Sequence, residues 1–214
     1  MANELQGRKV AILAADGVER VELERPRQAL DGAGAQTTLL SIKTGDIAAR
    51  NHDLEDAGAE TTLLSIHDGE IQARNHDIEE AGTFTVDGLV SEASVEDYDA
   101  LLLPGGTVNP DQLRIDDDAV GFVRDWFETG KPVGVICHGP WTLITAGVAE
   151  GRRLTSWPSV RVDLANAGAE VLDQEVVTDE GLVSSRSPDD LEAFCSKIVE
   201  EFAEGKHSVK AGSA

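Results

Sequence analysis

Cysteine is nearly missing from this chain: Cys137 and Cys195 are its only two in 214 residues. Two cysteines cannot build a disulfide framework, and without a CxxC pair or a His/Cys cluster there is no structural zinc signature. Basic residues are scarce as well, 18 against 40 acidic ones, for a net charge of −22. The acidic excess runs along the whole chain and is not gathered in a tail, which argues against nucleic acid or anionic membranes as partners. With a pI near 4.4, it reads as adaptation to a salt-rich cytoplasm, where counterions screen self-repulsion, with an ordinary acidic protein as the alternative. No apolar run approaches the roughly 20 residues that span a bilayer, and MANELQGRKV lacks a charged start leading into an apolar stretch. A soluble, cytoplasmic protein without membrane contact is expected. What is present, 41% hydrophobic residues, suffices for one full core, so a single domain over 1–214 is the default.

Strand-like and helix-like patterns alternate along the chain. The apolar run Lys9 to Ala14 ends at Asp16-Gly17, and the next seventeen residues have helical spacing, with Val21, Ala29 and Leu30 on one side. Ala100 to Leu103 is a buried strand running into Pro104-Gly105-Gly106; Asp117 to Thr129 is an amphipathic helix, and Pro132 to Ile136 a further strand. Ser159 to Ala167 reads as helical, and Glu170–Leu172, Glu175–Thr178 and Gly181–Ser184 as short strands. Pro188 to Glu204 reads as a long helix with Leu191, Phe194, Cys195, Ile198 and Phe202 inward. The pattern predicts an α/β doubly wound sheet, which binds ligands beyond the carboxyl ends of its strands.

The middle of the chain repeats itself. Residues 33–56 and 57–80 align without a gap at a period of 24, differing only at 36, 43, 44, 46, 48, 54 and 56 of the first copy. Two units are too few for a solenoid, so this is a tandem duplication inside one domain. Each copy holds a strand (TTLLSI), a turn (KTGD or HDGE) and a polar segment ending in NHD. One copy fills the native strand position. The other adds a strand with a short helix across Asp46 to Asp56, bulges out, or exchanges with a neighbouring subunit; an unstructured loop of that length is disfavoured.

The densest chemistry lies in GVICHGPW, Gly134 to Trp141. A cysteine at a strand-to-helix turn is exposed at the sheet edge, and the helix start lowers its pKa toward the nucleophilic thiolate. The same letters also fit a buried thiol acting as a small hydrophobe, and periodicity does not separate the two. His52 and His76, one per NHD segment, make a poor metal ligand set, and Cys195 reads as structural.

These segments together resemble the PfpI family of intracellular cysteine hydrolases, within the class I glutamine amidotransferase-like superfamily that includes protein deglycases and cofactor-independent glyoxalases. The resemblance rests on DGVERVELERPRQAL, NHD, YDALLLPGG, KPVGVICHGPWTLITAGVAEGRRLTSWPSVRVDLANAGAE and LVSSRSPDDLEAFC, in family order across nearly the whole chain. It implies a flavodoxin-like three-layer sandwich with a mainly parallel central sheet. It makes Cys137 the nucleophile, His138 its partner in peptidase-type members, and Glu22 the acid that hydrogen-bonds the sulfur. A carboxyl kept protonated beside a thiolate donates that bond and shuttles a proton; read alone, Glu19, Glu22 and Glu24 are a solvated helix face, and Glu19 is the second candidate. The Gly106 and His138 amides would form the oxyanion hole, with Gly105, His76, Trp157 and Arg186 as possible pocket residues. Neighbouring side chains point in different directions, so the His138 imidazole is not expected to reach the thiol of its own subunit. The implied activity is cofactor-independent and metal-free: addition of the thiolate to a reactive carbonyl such as methylglyoxal or its early adducts. The alternatives are a PfpI-type peptidase and a non-enzymatic redox-sensing or chaperone-like stress protein. A homodimer or higher homo-oligomer is the implied assembly.

Overall fold

Short apolar runs bounded by turn residues become the strands of one central sheet. The computed structural model describes residues 4–48 and 82–207, with the backbone of the two-residue strands Thr62–Leu63, Arg74–Asn75 and Glu79–Glu80. The main elements are β1 (Lys9–Leu13), α1 (Arg20–Gly32), β2 (Gln36–Ser41), β3 (Ala100–Leu103), α2 (Asp117–Glu128), β4 (Val133–Ile136), α3 (Pro140–Ala146), β5 (Val176–Asp179), β6 (Leu182–Ser185) and α4 (Leu191–Glu204). The strands lie in the order β5-β6-β4-β3-β1-β2, followed by Thr62–Leu63 at the edge. All neighbours along this path are parallel except β5, which returns antiparallel to β6. Gly88–Leu89 pairs with the end of β2.

Successive strand residues point to opposite faces, and this alternation fills two cores. Val10, Ile12, Leu102, Ile136 and Val183 meet Leu23 and Leu30 of α1 and Phe194, Ile198 and Phe202 of α4. On the other face Ala11, Leu13, Leu101, Leu103, Val133 and Val135 meet Phe122, Val123, Trp126 and Leu143. Each such large side chain contributes about 1.5–3 kcal/mol by leaving water. The result is an α/β, flavodoxin-like sandwich of helices on both faces of a mainly parallel sheet. Among the described residues no helix is long and apolar enough to cross a membrane.

Three details depart from the sequence reading. The buried side of α1 carries Glu22, Leu23, Pro26, Arg27 and Leu30, while Val21 and Ala29 are only partly covered. Two charged residues therefore lie where an apolar stripe was expected. The region 159–167 divides into a 3₁₀ turn, Pro158–Val160, and a helix, Arg161–Asn166. Cys195 on α4 is half-buried, at the margin of the core and not within it.

The first repeat copy supplies β2, paired with β1 from Lys9↔Gln36 to Leu13↔Leu40. The second copy adds a strand outside it, in parallel, with Thr38↔Thr62 and Leu39↔Leu63. Equivalent positions of the two copies thus lie side by side. Asp46–Ala48, where one of the three open placements put the start of a short helix, is a strand antiparallel to Thr83–Thr85; the rest of that segment lies outside the described residues, as do His52 and His76.

Candidate active site

Because β1, β3, β4 and β6 run parallel, their carboxyl ends open onto one edge of the sheet. Cys137 stands there, between β4 and α3. Its φ of 61° is left-handed, a conformation that costs a non-glycine residue about 1–3 kcal/mol. The surroundings hold it: the Cys137 N–H donates to Ser185 O at 3.1 Å, its carbonyl accepts from Trp157 N at 3.0 Å, and Gly139 N closes onto Ile136 O at 2.9 Å. Gly139 is required, since a Cβ there would lie 2.8 Å from Leu103 O and 2.9 Å from Ile136 O.

The left-handed turn overturns one expectation. It aims the side chains of Cys137 and His138 the same way, so that Nδ1 lies 3.2 Å from Sγ within one chain. The imidazole is held between Trp157, stacked at 5.6 Å, and Trp141 at 5.1 Å, with Ser159 Oγ 3.5 Å from Nε2.

Glu22 approaches from α1. Its side chain is fully buried, one carboxylate oxygen accepts the Gly105 N–H at 3.0 Å, and the carboxyl hydrogen-bonds the Cys137 sulfur. Gly105 fits between them; a Cβ would strike Glu22 Oε2 and come 2.7 Å from Cys137 Cβ. The amides of Gly106 and His138 also point at the sulfur. The Gly106 turn, φ 82°, admits no side chain, because a Cβ would meet Gly17 O.

The electrostatics differ from those expected of a thiol at a helix start. Burial drives the Cys137 thiol well above its ordinary range, negative charge on Glu22 adds to this, and the Gly106 and His138 amides only oppose it. Helix α3, seven residues long, is outweighed by desolvation and a carboxylate neighbour.

Residues 8–201 match the family described as DJ-1/PfpI. The chain belongs to the DJ-1/PfpI family. It is 38% identical over 191 residues to a protein named Deglycase TK1284 from Thermococcus kodakarensis, covering 89% of this chain and 97% of that one. It is 37% identical over 187 residues to the putative cysteine protease YraA of Bacillus subtilis, covering 87% and 94%. To Protein/nucleic acid deglycase 2 of Escherichia coli it is 53% identical over 111 residues, 51% of this chain and 64% of that protein, so the match spans under two thirds of that relative. Among solved structures, Drosophila melanogaster DJ-1beta superposes with a TM-score of 0.68 at 23% identity, covering 95% of this chain and 91% of that one, a likeness of fold.

In this DJ-1/PfpI chain the remaining candidates fall in different places. Glu19 precedes α1 and is half-buried; its amide donates to Gly105 O at 3.3 Å, which positions the turn. Trp157, 38% exposed, forms one wall beside His138. Arg186 leaves β6 at the same edge but spends its guanidinium on Asp190, at 2.8 and 3.0 Å, and on Asp173 at 2.9 Å. It serves as a surface clamp there. One residue had no sequence signal: buried Asn109, in the short helix Val108–Leu113. It accepts from Ala15 N at 2.6 Å and donates to Pro104 O and Gly105 O at 2.9 and 3.0 Å. That ties the loop after β1 to the Pro-Gly-Gly turn. A single asparagine before a proline is too common a pattern to be read in advance.

Proposed function

We propose that the protein is a cysteine-dependent, cofactor-independent enzyme of reactive carbonyls, of the deglycase or glyoxalase kind. The observation that carries this reading is the sulfur of Cys137 held between a buried carboxyl and two backbone amides. A thiolate and a carboxylate in one desolvated site cannot both stay charged, so the Glu22–Cys137 pair shares one proton. With that proton on Glu22, the thiolate adds to the aldehyde carbon of a 2-oxoaldehyde. The oxygen that becomes negative takes the place of the sulfur before the Gly106 and His138 amides. Glu22 gives its proton to that oxygen and, now a carboxylate, moves a proton from the same carbon to the neighbouring carbonyl carbon through an enediol, leaving a 2-hydroxyacyl thioester. Water cleaves the thioester to the 2-hydroxy acid and restores the thiol. Oxidation at one carbon is balanced by reduction at the next, so no external electron acceptor enters. On an early amine adduct of the aldehyde, a hemiaminal, the C–S bond replaces the C–N bond: the amine leaves with the proton from Glu22, and the resulting hemithioacetal follows the same course.

The Cys137–His138 contact at 3.2 Å favours a second reading, a peptidase in which the imidazole protonates an amine leaving group. Assays of methylglyoxal loss and of peptide amide hydrolysis on the same protein separate the two. Aldehyde loss should disappear in Cys137→Ser, fall about 10²–10⁴-fold in Glu22→Gln, and change far less in Glu19→Gln. Full activity in Cys137→Ser would remove the nucleophile. Peptide hydrolysis without aldehyde loss would select the peptidase, and neither activity with ready peroxide oxidation of Cys137 would select a redox sensor.

A further inference from the structure

At the opposite edge of the sheet from Cys137, three side chains converge that the proposed chemistry does not use. Ligand atoms of Glu201, Glu204 and His207 all lie within 4.8 Å of one another. We propose that these residues bind one divalent transition-metal ion of the zinc, cobalt or manganese type, which fastens the end of the C-terminal helix to the body of the protein.

The backbone presents the three ligands together. Glu201 and Glu204 are three residues apart in the last turn of α4 and share a face. Gly205, at φ 85°, ends the helix and turns the chain so that His207 comes back beside that face. The His207 N–H donates to Gly130 O at 2.8 Å. Its ring lies against the backbone of Gly181, where a Cβ would stand 2.8 Å from the imidazole Cδ2. The imidazole is therefore held at both its backbone and its ring.

The His207–Glu201 separation fits a shared ion. His207 Nε2 is 3.2 Å from Glu201 Oε1; it is out of solvent and makes no hydrogen bond of acceptable geometry. Two ligand atoms, each about 2.0–2.1 Å from a common zinc and at a near-tetrahedral angle, stand about 3.1–3.4 Å apart. Glu201 is 5% exposed, and a buried carboxylate requires compensating positive charge. Lys197 supplies part of it, 3.6 Å from Glu201 Oε2, while also holding Glu200 Oε1 at 2.8 Å. That leaves Oε1 directed at the imidazole. Exposed Glu204 is free to rotate inward as the third ligand, and the carboxyl end of a helix attracts cations. One nitrogen and two carboxylates select a borderline transition ion; magnesium and calcium take all-oxygen shells.

Isothermal titration of the full chain with zinc chloride tests this in a Cys137→Ser, Cys195→Ser background, which removes competing thiols. The parent should bind one zinc ion that is lost, or weakened more than about tenfold, in Glu201→Gln, Glu204→Gln and His207→Gln. Zinc should also raise the melting temperature of the parent, and not that of the three variants. Glu204 is exposed, so its effect cannot come from disturbed packing. Equal zinc affinity in the parent and all three variants, or no zinc bound by the parent, would overturn the proposal.

Discussion

Asp87 shows how a single residue can shape the stability of the whole chain. Its carboxylate accepts the Leu39 N–H at 3.1 Å and lies 3.9 Å from Arg27 Nη2, too far for a direct bond. Burial pushes its pKa from 3.8 up to about 7, against the pull of the Leu39 amide and the Arg27 charge. The folded chain thus holds this proton more tightly than the unfolded one. Its contribution to stability is complete below the unfolded value near 3.9 and is lost as pH rises through about 7. The loss is at most about 4 kcal/mol. Urea denaturation at pH 5.5 and pH 8 should show wild type losing stability relative to Asp87→Asn, whose side chain stays neutral and keeps an oxygen for Leu39. A constant difference between the two proteins would sink the argument. The Asp87–Arg27 contact was invisible in the sequence because its partners are far apart and both letters normally mark a solvated surface. Glu22 was legible only through its motif, for the same reason. Cys137 and Gly105-Gly106 could be found because the strand-turn grammar marks them, whereas the Cys137–His138 contact follows from a single φ angle that no residue pattern encodes.

At the level of elements, the parallel strands β1, β3, β4 and β6 were readable because each is a short apolar run closed by a turn. The duplicated segment was not, since two nearly identical strands compete for one place beside β1. Position 43 distinguishes them. In the first copy Lys43 is buried and pairs with Asp16 at 2.7 Å, just past the end of β2; the second copy has His67 at the equivalent position. Deleting residues 57–80 preserves the Lys43–Asp16 pair, whereas deleting 33–56 places the second copy beside β1 with histidine in that role. Both variants have the same length. The protein lacking 33–56 should be less stable at pH 8 by about 1–2 kcal/mol, the cost of a poorly paired, partly buried carboxylate, as read by urea denaturation. Equal stability, or the reverse order, would show that the ion pair does not decide which copy is seated.

Across the whole molecule, the net charge of −22 acts as a diffuse load on the folded state. Among the described residues most carboxylates are at the surface, and self-repulsion is relieved when the chain expands, so the folded form gains from screening. We propose that the protein is adapted to a salt-rich interior. Raising potassium chloride from 0.05 M to 1 M shortens the Debye length from above 10 Å to about 3 Å. The melting temperature should therefore climb steeply at first and level off toward 1 M. A stabilisation that arose from salt excluded from apolar surface would instead keep growing with concentration, and more strongly in sulfate than in chloride. Buried pairs such as Lys43–Asp16 are screened least and add little to the slope. A melting temperature that stays flat or falls over the first half-molar of potassium chloride would show that the acidic surface is not adapted to salt.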